Sequence, residues 1–452
     1  MMRNVDIELI MTTTSPRHRW FCDARFGMFV HFGPYAAIGR GEQVLFREQW
    51  DQAEYARRAA RWNPRRFDAA QWAAAACAGG VKYGVLTTRH HDGYCLWDSK
   101  QTDYTSARLA PQRDFVREYG EAMRAAGLRV GLYYSLADWR IPAYWAGPKQ
   151  DPDGWARFRR YVHTQLHELL TGYGRIDVLW FDGAWPHTAQ DWGAREIVRM
   201  ARRLQPGILI NNRLGQVVGE TGLSANESRR LGDFGTPEHH ITAESSRLWE
   251  SCQVSTWRLW GYARGERWRS TDVLLDMLAD AASKGGNLLL NVGPKPDGTL
   301  PPPFVRRLAA LGAWLKVHGE AIYGTQAGDV CDSVTIGYQT RRGSRLYLIV
   351  RFWDGSGTLR LAGLGTRVRK ATMLADGRAL RVRQSAEILE LAGLPRRPPT
   401  RLFPVIELTC AGGPEPTARG RERLWAGDPL TYRSWAAARG EGVMQGGGWS
   451  EA

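Results

Sequence analysis

Cysteine is sparse and unpatterned in this chain. Cys22, Cys77, Cys95, Cys252, Cys331 and Cys410 are the full set in 452 residues, and no two form a C-x-x-C. Such spacing excludes a disulfide-stapled scaffold and a zinc ribbon, and leaves reduced, mostly buried thiols as the reading. Long apolar runs are lacking too: nothing approaches the roughly 18 uninterrupted residues of a membrane-spanning helix. The opening segment Met1 to Ile10 carries Asp6 and Glu8 and has no extended apolar centre. It does not read as a secretory signal, which makes the cytoplasm the default compartment. No internal repeat emerges. A zincin motif is also missing: His163 and His167 have the right spacing, but Thr164 stands where a glutamate must follow the first histidine. That pair reads as a solvated helix face.

What is present is an ordinary globular balance, 43% hydrophobic and 24% charged, with a formal net charge of +15. The basic residues are mostly Arg and are spread along the whole chain, with no dense stripe and no nucleic-acid motif. They read as a solvated surface, so neither a specific nucleic acid nor a membrane is expected as partner. Trp is abundant, at twenty residues. Indole faces pack cores, and they also cover the apolar face of a sugar ring.

Short apolar runs alternate with helical stretches up to about residue 325. The runs are Phe26 to His31, Gly84 to Thr88, Val130 to Tyr134, Ile176 to Asp182, Ile208 to Asn211 and Asn287 to Val292. Amphipathic stretches such as Arg66 to Ala78, Phe115 to Ala126 and Trp155 to Leu170 lie between them. This alternation implies βα units, and near-continuous apolar strands imply a parallel sheet buried on both faces. The expectation is an α/β fold: a (β/α)8-like, TIM-type barrel over residues 15–325, with the strand count past Asn211 left open and distortion allowed. Extended-type runs at short spacing then predict a small C-terminal antiparallel β-sandwich over residues 326–410. Residues 411–452 are rich in Gly, Arg and Pro, and are expected to be disordered.

Chemistry in a parallel barrel sits at the C-terminal strand ends. Asp182 closes Ile-Asp-Val-Leu-Trp-Phe. It reads equally as a nucleophile or base and as the N-cap of a following helix. His90 and His91, in Arg-His-His-Asp-Gly after a strand, suit polar ligand recognition; structural hydrogen bonding and metal binding are the alternatives. His31 falls in the same class. Glycoside cleavage with retention needs a second carboxyl group, and Glu238 and Glu250 are the candidates.

Several segments together resemble the α-L-fucosidases of glycoside hydrolase family 29. Phe26-Gly27-Met28-Phe29-Val30-His31-Phe32-Gly33-Pro34-Tyr35 is similar to that family's opening strand. Lys82 to Tyr94, with Trp97-Asp98-Ser99-Lys100, and Gly131-Leu132-Tyr133-Tyr134-Ser135 resemble the strands that follow. Trp180-Phe181-Asp182-Gly183 resembles its nucleophile strand, and Asn287 to Pro294, through Asp297-Gly298, its closing strand. The resemblance spans roughly residues 20–325. It implies a retaining exo-glycosidase that hydrolyses terminal α-L-fucosyl linkages of oligosaccharides or glycoconjugates by double displacement. Asp182 would be the nucleophile and Glu238 the acid/base, with Glu250 as fallback. His31, His90, His91, Tyr134, Trp180 and Arg213 would line the fucose pocket. Glu42 would be a further contact, although Gln43 departs from the family's Glu-Trp pair. No metal or organic cofactor is implied. The expected partner is a fucosylated glycan, with a homo-oligomer left open. A barrel glycosidase acting on another sugar and a non-catalytic fucose-binding protein are the alternative functions.

Overall fold

Apolar runs bounded by turns become strands, and the computed structural model describes residues 15–214, 231–243, 247–331, 336–418, 444–445 and 448–449. Eight parallel strands are β1 (Phe26–Val30), β2 (Tyr83–Arg89), β3 (Arg129–Ser135), β4 (Val178–Asp182), β5 (Leu209–Ile210), β6 (Phe234–Gly235), β7 (Leu248–Val254) and β8 (Asn287–Val292). β1 pairs with both β2 and β8, so the sheet wraps into a barrel in the order β5-β4-β3-β2-β1-β8-β7-β6. The seam between β5 and β6 is narrow: Asn211 bridges Phe234, and the Asp233 N–H donates to Ile210 O at 2.6 Å. The Asp233 carboxylate reinforces that seam by accepting from the Ile210 N–H at 2.9 Å.

Alternate residues point inward. Phe29, Tyr83, Val85, Tyr133, Val178, Trp180, Leu209, Phe234, Cys252 and Leu289 form one interior cluster, closed below by Phe21. Burying each large apolar side chain contributes about 2 kcal/mol. Gly27 faces the same interior, where a Cβ would lie 2.4 Å from the Tyr83 ring. Helices on the outside bury the opposite strand faces. Asp68, Asp114 and Asp151 each cap one of them by accepting a backbone N–H from the first turn.

Between Asn211 and Asn287 the hydropathy pattern marks no strand, yet β6 and β7 lie there. β7 reads Leu-Trp-Glu-Ser-Cys-Gln-Val, and its Glu250, Ser251 and Gln253 are buried despite their polarity.

The C-terminal strands are all antiparallel: β9 (Gln326–Ala327), β10 (Gly337–Arg342), β11 (Arg345–Val350), β12 (Thr358–Ala362), β13 (Val368–Met373), β14 (Ala379–Gln384), β15 (Ile388–Ala392) and β16 (Val405–Cys410). They form one ladder, β12-β15-β14-β13-β16-β11-β10-β9. Leu346, Leu348 and Val350 enter this sheet's own core, while Tyr347 and Ile349 join the barrel's outer core. Trp314, on helix Pro302–His318, fastens the two by donating its indole N–H to Phe403 O at 2.8 Å. Residues 411–418 continue along this sheet, with Pro416 bridging Leu364. The tail expected to be disordered otherwise lies outside the described residues, save the pair Met444–Gln445 and Gly448–Trp449. Among the described residues no helix is long and apolar enough to cross a membrane.

Candidate active site

Strand register brings the polar residues to one mouth. Asp182 follows Trp180 by two residues and shares its inward face, beside Ser135 of β3. It does not cap the next helix, Ala189–Trp192, which is capped by Thr188. Gly183 lets the chain leave the strand at φ +67°, where a Cβ would press on Ser135 Oγ. The Asp182 Oδ2 accepts from the Tyr133 hydroxyl at 2.9 Å, and Oδ1 from Arg213 Nη1 at 3.2 Å.

Arg213 sits on the 3-10 turn Asn212–Leu214, directly after β5. Its Nη2 donates to Glu238 Oε2 at 2.7 Å and its Nε to Thr236 Oγ1 at 2.8 Å. The guanidinium also lies 4.6 Å from the Trp180 ring centre. Burial opposes its charge, but Glu238 and Asp182 outweigh that and hold it above its ordinary value. Glu238 lies in a polar stretch, Asp233-Phe234-Gly235-Thr236-Pro237-Glu238-His239-His240, with no apolar periodicity to mark a strand. It runs strand-like beside β7, since the Cys252 N–H donates to Pro237 O and the His239 N–H to Cys252 O. Asp182 and Glu238 thus occupy the two prongs of one guanidinium.

Three buried imidazoles line the opposite wall. Burial, reinforced by His90, pushes His31 down to about 3; burial, reinforced by His31, does the same to His91. His90 is lowered as well, by burial and then by His91. All three are neutral near pH 7, so the 3.7 Å approach of His91 Nε2 to Asp182 Oδ2 is not an ion pair. The hydrogen-bond network assigns the tautomers. Asn291 uses its amide N–H on Trp260 O, so its Oδ1 faces His31 and accepts from Nδ1 at 2.7 Å. Ser135 gives its proton to Ala137 O, so it accepts from His91 Nδ1. Both Nε2 atoms are left as acceptors. His90 Nδ1 is buried with no partner among the described residues.

Tyr134 requires a correction. Its hydroxyl donates to Gln165 at 2.9 Å and its ring lies under Arg89, on the helix side of β3. Side chains alternate along a strand, so the neighbouring Tyr133 faces the mouth, stacking on His90 and Trp180. Trp180 forms the floor. Glu250 lies beneath that floor and is fully buried; its Oε1 accepts from Trp180 Nε1 at 2.8 Å and its Oε2 from the Tyr83 hydroxyl at 2.5 Å. Burial pushes its carboxyl up to about 7. Glu42 is buried at the rim, where Oε2 accepts the N–H groups of Trp260 and Gly261. Gln43, in the departure from the family pair, accepts from Arg47 Nε instead of presenting a ring. Arg89 clamps the outside of β3 through Gln165 and Ser135 O, and Asp92 accepts from the Tyr55 hydroxyl. Sequence reasoning missed Tyr133, Trp260 and Asn291. Two-residue spacing from the inward Leu289 was the available signal for Asn291, whereas Tyr133 needs the strand register and Trp260 lies on no strand.

Among the described residues no group of three or more His, Cys, Asp or Glu is arranged to hold a metal. The family model described as Alpha-L-fucosidase matches residues 8–320. The chain belongs to the α-L-fucosidase family. It is a glycoside hydrolase of the retaining type. Tissue alpha-L-fucosidase of Rattus norvegicus is 32% identical over 423 residues, covering 86% of this chain and 88% of that protein. Among solved structures, alpha-L-fucosidase isoenzyme 1 from Paenibacillus thiaminolyticus superposes with a TM-score of 0.79 at 36% identity, covering 87% of this chain and 99% of that one. A GH29 enzyme from Bacteroides thetaiotaomicron reaches a TM-score of 0.81 at 30% identity, covering 88% of this chain and 96% of that one. It was trapped as a covalent intermediate with 2-fluoro-fucosyl fluoride in a Glu-to-Gln variant.

Proposed function

We propose that Asp182 is the nucleophile and Glu238 the acid/base of α-L-fucoside hydrolysis. The observation that carries this is Arg213, which holds both carboxyl groups on one guanidinium, Asp182 Oδ1 at 3.2 Å and Glu238 Oε2 at 2.7 Å. Double displacement needs two carboxyl groups about 5–5.5 Å apart, and a shared guanidinium keeps them a single side chain's width apart. Asp182, fixed by Tyr133 and Arg213, attacks the anomeric carbon and forms a β-fucosyl ester. Glu238 protonates the departing oxygen and then takes a proton from the water that opens the ester. The half-exposed position of Glu238 at the mouth suits a group that meets both the leaving group and water. Glu250, with both oxygens engaged below Trp180, has no route to that oxygen, which favours Glu238.

The pocket chemistry fits a terminal fucose. The Nε2 atoms of His31 and His91, left as acceptors by the bonds their Nδ1 atoms make, accept from sugar hydroxyls. Each such bond is worth about 1 kcal/mol. Trp260, 5.2 Å from the His31 ring, gives an apolar wall for the sugar's methyl group. The substrate class is a fucosylated oligosaccharide or glycoconjugate. The test is 4-nitrophenyl α-L-fucoside with azide. Asp182→Ala should yield β-fucosyl azide, since azide attacks the substrate directly. Glu238→Ala should yield the α-azide through the ester. Exchange of those two outcomes would reverse the assignment, and no azide product from either would refute it.

A further inference from the structure

Beside the mouth lies an aromatic surface that the hydrolytic step does not use. Phe46 is 55% exposed and Trp145 52% exposed, although both are large apolar side chains. Their rings lie 5.9 Å apart and 14° from parallel, and Phe46 also meets Trp139 at 5.2 Å. Trp145 is held in place: its indole N–H donates to Trp139 O at 2.9 Å, and the same carbonyl accepts from Gln52 Nε2 at 3.1 Å. Exposed aromatics fixed in orientation are a means of stacking on a ligand ring. The surface is continuous with the pocket. Trp139 packs 5.0 Å from the His91 ring, and its N–H donates to His91 O. A cleft of about 780 Å³ flanks Trp139 and Trp145, with Gln52, Arg140 and Gln150 at its edge.

We propose that Phe46 and Trp145 form a subsite for the leaving-group portion of a fucosylated glycan, with one pyranose ring stacked on the aromatic surface. Ring-to-ring steps from His91 through Trp139 to Phe46 carry the surface outward from the fucose pocket, where the rest of the substrate must lie. The apolar C–H face of a pyranose fits the rings, while Gln52, Gln150 and Arg140 offer donors and acceptors to its hydroxyls. An aryl aglycone would use the rings alone, and a second protein copy would need a larger apolar area than this patch presents. The inference rests on the fucosidase reading of the pocket.

The test compares α-L-fucosyl fluoride, whose leaving group is too small to reach the surface, with a fucosylated lactose. The variants are the double Phe46→Ala/Trp145→Ala and the single Trp145→Phe. The double variant should lose about tenfold or more in kcat/KM on the lactose derivative, the size of one or two aromatic contacts, and stay within about twofold on the fluoride. Trp145→Phe should recover most of the loss. Equal losses on both substrates, no loss on either, or a change of oligomeric state in the double variant would each overturn the subsite. Absence of fluoride turnover by the unaltered enzyme would instead sink the fucosidase reading itself.

Discussion

Replacing Glu250 by Gln separates the floor of the site from its chemistry. Glu250 is fully buried, and its two oxygens accept from Trp180 Nε1 at 2.8 Å and from the Tyr83 hydroxyl at 2.5 Å. Burial raises its carboxyl from the ordinary 4.5 to about 7, against those hydrogen bonds and the Arg213 charge, which pull the other way. Its folded value is above its unfolded one. The stability this gives is therefore complete below about 4.5 and is lost as pH rises through about 7. The gap corresponds to about 3 kcal/mol. Gln keeps the shape and the acceptor for Trp180, and has no proton to lose. The melting-temperature difference, variant minus unaltered protein, should therefore shift in favour of Glu250→Gln by about 3 °C between about pH 5 and about pH 9, taking an unfolding entropy of roughly 2.1 cal/mol/K per residue. Activity on an aryl α-L-fucoside should stay within about tenfold, because loss of a true acid/base costs about 10²–10⁴. A difference curve flat across pH would refute the buried-acid argument. A loss beyond a hundredfold with azide rescue would make Glu250 the acid/base and displace Glu238.

Other substitutions probe the remaining contacts. Tyr133→Phe removes a donor to Asp182 and should lower kcat about tenfold, whereas Tyr134→Phe should leave kcat unchanged and lower only the melting temperature; equal kinetic effects would contradict the strand parity. Arg213→Met should cost at least about a hundredfold in kcat/KM through two charge-assisted bonds, with little recovery in Arg213→Lys because an ammonium cannot span both carboxyl groups. His31 and His91 are held near 3, below their ordinary 6.5, so the stability they give is present above 6.5 and is lost as pH falls toward 3. Each should account for about 2 kcal/mol by about pH 5, and His91→Asn should flatten that acid limb in urea titrations.

The barrel was legible because β1 to β4 and β8 are near-continuous apolar runs, which only a sheet covered on both faces can bury. β7 was not, because polar Glu250 and Gln253 lie inside it: Glu250 accepts from Tyr83 and Trp180, which are distant in sequence, and Gln253 Nε2 donates to Ser251 Oγ on its own strand. Asp182, Arg213 and the three histidines were found from strand ends and from the family resemblance. The Tyr133–Tyr134 pair could not be resolved without register, since one residue decides which face each takes. Trp260 and Asn291 owe their placement to contacts that cross the mouth, His31 with Asn291 and Asn291 with Trp260 O. The C-terminal ladder has more strands than its hydropathy suggests, because β9 is two residues long and β10 is rich in Gln, Thr and Arg.

The central claim is that Asp182 forms the ester with fucose. The direct measurement is mass spectrometry of peptides after inactivation with 2-fluoro-fucosyl fluoride, using Glu238→Gln to slow turnover. One fluorofucosyl group on the peptide that carries Trp180-Phe181-Asp182-Gly183, with fragment ions placing it on Asp182, is the expected result. A label on Glu250 or on any other side chain would contradict the account.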